Sequence, residues 1–378
     1  MWRGEAHKTT HTVVALDGTG RRLGVKSVPA TDAGHASALR WARLTFAGED
    51  LTLGIEDVRH VSGRFERFLL DSGVRCVRVP TKLMFRARLS ARTPGKSDPI
   101  DAQAVAQAVL REPDLPVASH DDVSREFKLF VDHREDLVSQ RTAVINNWVL
   151  WRIHEVDPAR DPRTLLTATA REAPRGWLTG QPGLVAELAV IELDDITRLT
   201  KAINALERRI TLRVRAVAPS LLVIPGCGAL TAAKLTGESA LVTRFRSESA
   251  FAAWAGLAPV PRWSGSTEGR MRRSRSGNRA ANAAIHRIAV TQLRLDGPGR
   301  AYYDKRVAAG DSSRTAMRCL KRRLARVVFG HLHTDLRIRA AAAGEALART
   351  EPNPLIGDAL DAVSDKACDG PLGEESPR

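Results

Sequence analysis

Leu221-Leu-Val-Ile-Pro-Gly-Cys-Gly-Ala-Leu-Thr-Ala-Ala-Lys-Leu235, then Trp263-Ser264-Gly265, then Gly269-Arg-Met-Arg-Arg-Ser-Arg-Ser-Gly-Asn-Arg-Ala-Ala-Asn-Ala-Ala-Ile-His-Arg-Ile-Ala-Val290, form the stretch around which this chain is organised. One hydroxyl sits on a short glycine-flanked loop, between a Pro-Gly-x-Gly turn and a dense arginine cluster. Pro225, Gly226 and Gly228 predict a helix-hairpin-helix-like turn between two short helices. Its backbone N–H groups and following helix N-terminus suit a phosphate, with Gly226, Gly228 and Lys234 as candidate contacts. Such a turn also serves simply to join helices. Arg270, Arg272, Arg273, Arg275, Asn278 and Arg279 follow, and Lys321, Arg322, Arg323 and Arg326 add a second basic helix. A basic run is usually a solvated face, but crowded cations repel one another unless phosphate neutralises them. Ser264, read from the residues alone, is one of three polar loop residues with Ser266 and Thr267, and no His or Lys stands beside it in sequence to activate it.

In total, 378 residues are enough for two or three domains, each with its own core. A formal net charge of +15 with a pI near 10.4 favours a polyanionic partner, nucleic acid first, because clustered cations release counterions from a phosphate backbone. The chain has no long apolar run, no lipidation signal and no apolar core behind its first residues, so a membrane partner is excluded and a cytoplasmic, nucleoid-associated location is expected. Cys76, Cys227, Cys319 and Cys368 lack metal-ligand spacing and read as ordinary reduced thiols.

In the N-terminal part, His11–Leu16 and Leu23–Val28 predict a hairpin around Asp17-Gly-Thr-Gly20. Helical spacing over Ala33–Leu44, a strand over Leu51–Glu56, a helix over Phe65–Asp71 and a strand over Val74–Val79 then imply a three-layer α/β domain with a mixed sheet. Glu56 closes an apolar strand, where ligands of such sheets gather. Asp98 and Asp101 are three apart at a helix start, hence on one face. Converging carboxylates suit Mg²⁺ or Mn²⁺. The competing reading, favoured on spacing alone, is that Ser97 or Asp98 caps the helix and Asp101 favours its dipole.

The middle carries two long amphipathic helices of coiled-coil type. One runs through Val123, Phe127, Phe130, Leu137, Val144, Trp148 and Trp151, the other through Ile196, Leu199, Ile203, Leu206 and Ile210, with a Pro- and Arg-bearing connection from Pro158 to Pro182. They pack as a hairpin in one chain or pair between subunits; Arg134 and Arg141 in the seam make a second chain or a nucleic-acid backbone attractive. Trp148 and Trp151 are expected as core anchors rather than stacking platforms.

Gly54-Ile-Glu56 with Lys96-Ser-Asp-Pro-Ile-Asp101, and then the Ile-Pro-Gly-x-Gly turn, Gly256-Leu-Ala-Pro259, Ser264-Gly265, the basic run, Gly277-Asn-Arg279 and Arg318-Cys-Leu-Lys-Arg-Arg323, resemble the insertion sequence one-ten family of transposases, grouped with elements one-sixteen and nine-oh-two. The resemblance covers roughly residues 5 to 335. It implies an α/β ribonuclease H-like (RuvC-like) domain over 1–115, an α-helical coiled-coil region over 119–218 and a mainly α serine transposase domain over 219–345; a Pro-, Gly- and acid-rich tail over 350–378 reads as disordered. It also implies four metal-binding acids, Glu5, Glu56, Asp98 and Asp101, and Ser264 as the nucleophile that joins a DNA phosphate. The first acid is an aspartate closing a full strand elsewhere in the family. Here it is Glu5, before Ala6-His7-Lys8, with four residues ahead, too few for a full strand; an upstream start or a weakened ligand is the expectation. The implied partners are DNA, a structured bridge RNA that chooses target and donor, and further copies of the chain in a dimer or tetramer. Alternatives are a metal-only nuclease of the junction-resolvase type and an inactive nucleic-acid-binding remnant.

Overall fold

The computed structural model describes residues 2–6, 9–46, 51–56, 59–89, 97–112, 115, 117–119, 121–261, 264–267, 271–273 and 277–342; of residues 2–6 it describes the backbone. The predicted disordered tail lies outside them. The chain forms two units, Met1–Asp121 with Thr243–Phe245, and Asp122–Val242 with Arg246–Arg378.

The first unit rests on a period-two pattern. Strands β1 (Trp2–Ala6), β2 (Thr10–Leu16), β3 (Arg22–Pro29), β4 (Thr52–Glu56) and β5 (Arg75–Val79) form one sheet in the order β3-β2-β1-β4-β5. The β1–β2 and β2–β3 pairs are antiparallel; β1–β4 and β4–β5 are parallel. Alternation sends Val13, Ala15, Leu53, Ile55 and Cys76 into a core with helices α1 (Asp32–Thr45) and α2 (Arg59–Asp71). Val14, Leu16, Val77 and Val79 face the other way, onto α3 (Thr81–Leu89) and α4 (Asp98–Arg111). This is the three-layer mixed α/β arrangement expected. Two elements were not: Pro80, just past β5, is followed at once by α3, its carbonyl accepting from Leu83 N at 2.9 Å. The short stretch before Glu5 also forms a strand after all, because β1 is hydrogen-bonded on both sides, and two ladders hold five residues that one would not. Two polar features lie within the core. Arg78 binds Glu66 in a two-pronged buried pair, Nε to Oε2 at 3.0 Å and a terminal nitrogen to Oε1 at 2.6 Å. His11, His35 and Phe65 stack with ring centroids 4.9–5.2 Å apart.

In the second unit, α5 (Asp122–Ala143) runs through a π-helical turn (Val144–Val149) into α6 (Leu150–Val156); α7 (Ala168–Thr179) and the 34-residue α8 (Leu184–Val217) come next. Helices α5 and α8 pack on each other within the chain. The seam arginines find partners there, Arg134 on Glu207 at 2.6–2.9 Å and Arg141 on Thr200 at 3.3 Å. Trp148 and Trp151 are not core anchors: they are 48% and 57% exposed. The π-turn is the cause. It inserts one residue into the helical repeat and rotates the turns beyond it, so the buried stripe steps from Val144 to Val149 and Ile153. The connection Pro158–Pro182 hides α7, which buries Leu178 and seats the Arg171 guanidinium on the carbonyls of Leu165 and Leu166 at 2.8 and 3.0 Å.

The remaining elements are a 3-10 turn (Ser220–Val223), α9 (Ala229–Ser239), α10 (Glu248–Trp254), the two-stranded β6 (Pro259–Pro261) and β7 (Met271–Arg273), α11 (Arg279–Gln292), α12 (Pro298–Ala308) and α13 (Ser313–Ala342). Helix α9 packs on α5, α8 and α11, and α13 on α10, α11 and α12. The expected helix-hairpin-helix is incomplete: a single 3-10 turn takes the place of the upstream helix, since Pro219 and Pro225 leave no room for more. Among the described residues no helix is long and apolar enough to cross a membrane.

Candidate active site

Register sets two of the acids, Glu5 and Glu56, on neighbouring strands. Gly4 of β1 pairs with Ile55 of β4, and one residue further along these parallel strands stand Glu5 and Glu56. Position 5 also lies opposite Thr12, and Glu56 opposite Val79. Two residues before Glu56, on the same face, Gly54 admits α4: a Cβ there would meet Val109 Cγ2 at 2.6 Å and Val105 Cγ1 at 3.2 Å. Helix α4 contacts β1, β2 and β4, and Asp98 and Asp101 lie in its first turn. Asp101 is 2% exposed and Asp98 half-buried. Ser97 occupies the N-cap position in extended backbone but makes no side-chain cap bond. These are hard oxygen donors of the kind Mg²⁺ and Mn²⁺ take. Among the described residues no three His, Cys, Asp or Glu side chains are gathered closely enough to hold a metal, and the Glu5 carboxylate lies outside them.

The serine is presented differently. Ser264 is exposed, beside Gly265 at φ +49°, in the segment joining β6 to β7, where Pro259 pairs with Arg273 and Pro261 with Met271. Arg270, Arg275 and the side chains of Arg272 and Arg273 lie outside the described residues. The two ends of this excursion meet. Gly277, at φ +111°, lies so close that a Cβ would sit 2.5 Å from Gly256 N and 2.8 Å from Trp254 O. Asn278 N donates to Trp254 O at 2.7 Å. The Asn278 side chain caps α11 by accepting from Ala281 N at 2.8 Å and donates to Glu238 Oε2 at 2.6 Å; Lys128 holds the other Glu238 oxygen at 2.6 Å. Glu238 and Lys128 went unremarked in the sequence, although one acid inside the apolar run of α9 is the signal that points to them.

Several expected phosphate contacts have structural duties. Gly226, at φ +83°, packs on α11, with a Cβ 2.9 Å from Thr291 Cβ. Lys234 pairs with Glu135. Gly228 stands in open space at the N-cap of α9, and Arg279 is exposed in the first turn of α11.

Residues 218–304 match a family described as Transposase IS116/IS110/IS902 family, and residues 6–149 match the DEDD domain of IS110 elements, described as Transposase. The chain is a transposase, similar to this family over both regions. It is 26% identical over 385 residues to the "Insertion element IS900 uncharacterized 42 kDa protein" of Mycobacterium paratuberculosis, covering 88% of this chain and 95% of that relative. The IS116 44.8 kDa protein of Streptomyces clavuligerus is 26% identical over 383 residues, covering 88% and 94%. The IS110 43.6 kDa protein of Streptomyces coelicolor is 31% identical over 151 residues, covering 40% and 36%. The transposase therefore acts on DNA in transposition, and its DEDD domain is consistent with a ribonuclease H-like fold and with divalent-metal use. That match begins one residue after Glu5.

Proposed function

We propose that this transposase is a metal-assisted serine recombinase. Glu5, Glu56, Asp98 and Asp101 would hold Mg²⁺ or Mn²⁺, and the ion would supply Lewis-acid polarisation of a phosphodiester. Ser264 Oγ forms a bond to DNA phosphorus as the bond to one strand oxygen breaks; the serine proton is lost to solvent or base and the departing oxygen takes one up. Reversal onto a different strand end exchanges the strands and frees Ser264. Copies of the chain act together as a dimer or tetramer, and a bridge RNA reads target and donor by base pairing while protein grips backbone.

The observation that carries this reading is the parallel register that sets Glu5 beside Glu56, with α4, whose first turn bears the two aspartates, packed on the same strands. A second reading, a junction-resolving nuclease that uses the acids without the serine, is favoured by the exposed setting of Ser264. Purified protein, Mg²⁺, the element's flanking RNA and labelled junction DNA, resolved on a denaturing gel, separate them. A protein–DNA band formed by wild type and lost in both Ser264→Ala and Asp98→Ala is the expected result. Cut DNA without the band supports the nuclease; DNA bound but never cut supports an inactive remnant.

A further inference from the structure

We infer that α11 and α13 form a phosphate site at the root of the Ser264 excursion, in which Lys321, Arg318 and His286 receive a backbone phosphate of the DNA; its role beside Ser264 rests on the serine reading above.

The Lys321 ammonium donates to Asn282 Oδ1 at 2.6 Å. Asn282 Nδ2 in turn donates to Ala255 O at 2.9 Å and Gly256 O at 3.3 Å, the carbonyls from which the excursion departs. The cation is thus fixed to the root of the loop. An ammonium has three donors, and Asn282 takes one. Arg318 lies one turn before Lys321 on α13, and His286 one turn after Asn282 on α11; both are exposed. The three groups bear on one another. Burial, then Arg318, holds Lys321 below the usual lysine value; burial, then Lys321, holds His286 below the usual histidine value.

Basicity alone does not single this place out, because α13 carries Lys and Arg along much of its length. Acid pairing does. Arg326, one turn and more further on, is matched by Glu248 at 2.8 Å, and Arg323 lies over the Tyr302 ring at 4.8 Å. Asp335, the one acid in α13, is turned to Ser220 N at 2.8 Å. Glu238 is taken by Lys128 and Asn278. Among the described residues no ion pair reaches Lys321, Arg318 or His286. Cations brought together without a carboxylate are held at a cost that an arriving phosphate removes.

The test uses full-length Ser264→Ala protein, which binds without chemistry, so failure of the serine reading leaves it intact. Affinity for a labelled DNA duplex and for a single-stranded RNA is measured by fluorescence anisotropy across salt concentration. Lys321→Met and Arg318→Met are each expected to weaken DNA binding several-fold and to flatten the log–log salt slope by about one. Lys321→Arg restores both; Arg300→Met, removing an arginine already paired with Asp304 at 2.7 Å, changes neither. An unchanged slope, a loss that Lys321→Arg fails to rescue, or a loss confined to RNA would overturn the inference.

Discussion

The sheet that bears the acids and the loop that bears the serine are held by opposite means. In the sheet, hydrogen-bond register does the positioning: once Gly4 faces Ile55, Glu5 and Glu56 fall side by side whatever their side chains. Around the serine, the backbone excursion is pinned at its ends, by Gly277 against Gly256 and by Asn278 on Glu238. Motif residues that carry chemistry are thereby separated from those that carry frame. Acids on a sheet stay functional candidates after the fold is known, whereas the glycines and the asparagine around the serine turn out to hold its loop.

Gly277→Ala strikes hardest at this contrast. A methyl 2.5–2.8 Å from backbone atoms that cannot yield, at φ +111°, is expected to cost more than about 4 kcal/mol, seen as a large fall in the thermal midpoint. A midpoint close to wild type would remove the claim that the loop is pinned there. Next is Glu66→Ala in the sheet unit, which leaves the Arg78 guanidinium buried without this carboxylate; a loss of about 3 kcal/mol in urea unfolding is expected. The smallest effect is one of pH. Burial holds His35 neutral and below its ordinary value, with Arg64 adding to the effect and Asp32 opposing it. The folded state therefore binds fewer protons than the unfolded chain. Stability from this site is complete above about 6.5, the unfolded value, and falls as pH drops below it. Urea midpoints compared across that window should fall more steeply for wild type than for His35→Phe.

Much of the sheet was legible because period-two alternation and the acids at a strand end and a helix start are local signals. β1 was not, since its stability comes from two neighbouring strands rather than from Trp2–Ala6 themselves. The exposed Trp148 and Trp151 were missed for a related reason: a π-turn shifts the stripe without changing composition. At the serine, sequence supplied the motif but not its division of labour. That Gly226 packs on Thr291, that Lys234 pairs with Glu135 and that Lys321 reaches Asn282 are all contacts between residues far apart in the chain.

Whether Ser264 takes up DNA under metal control can be read from the protein itself, by digesting the DNA-treated transposase and mapping the modified peptide by mass spectrometry, with and without a chelator. A nucleotide on Ser264 that disappears with chelation and in Glu56→Gln is the predicted result. Efficient cleavage of DNA with every Ser264 peptide unmodified would contradict the serine mechanism.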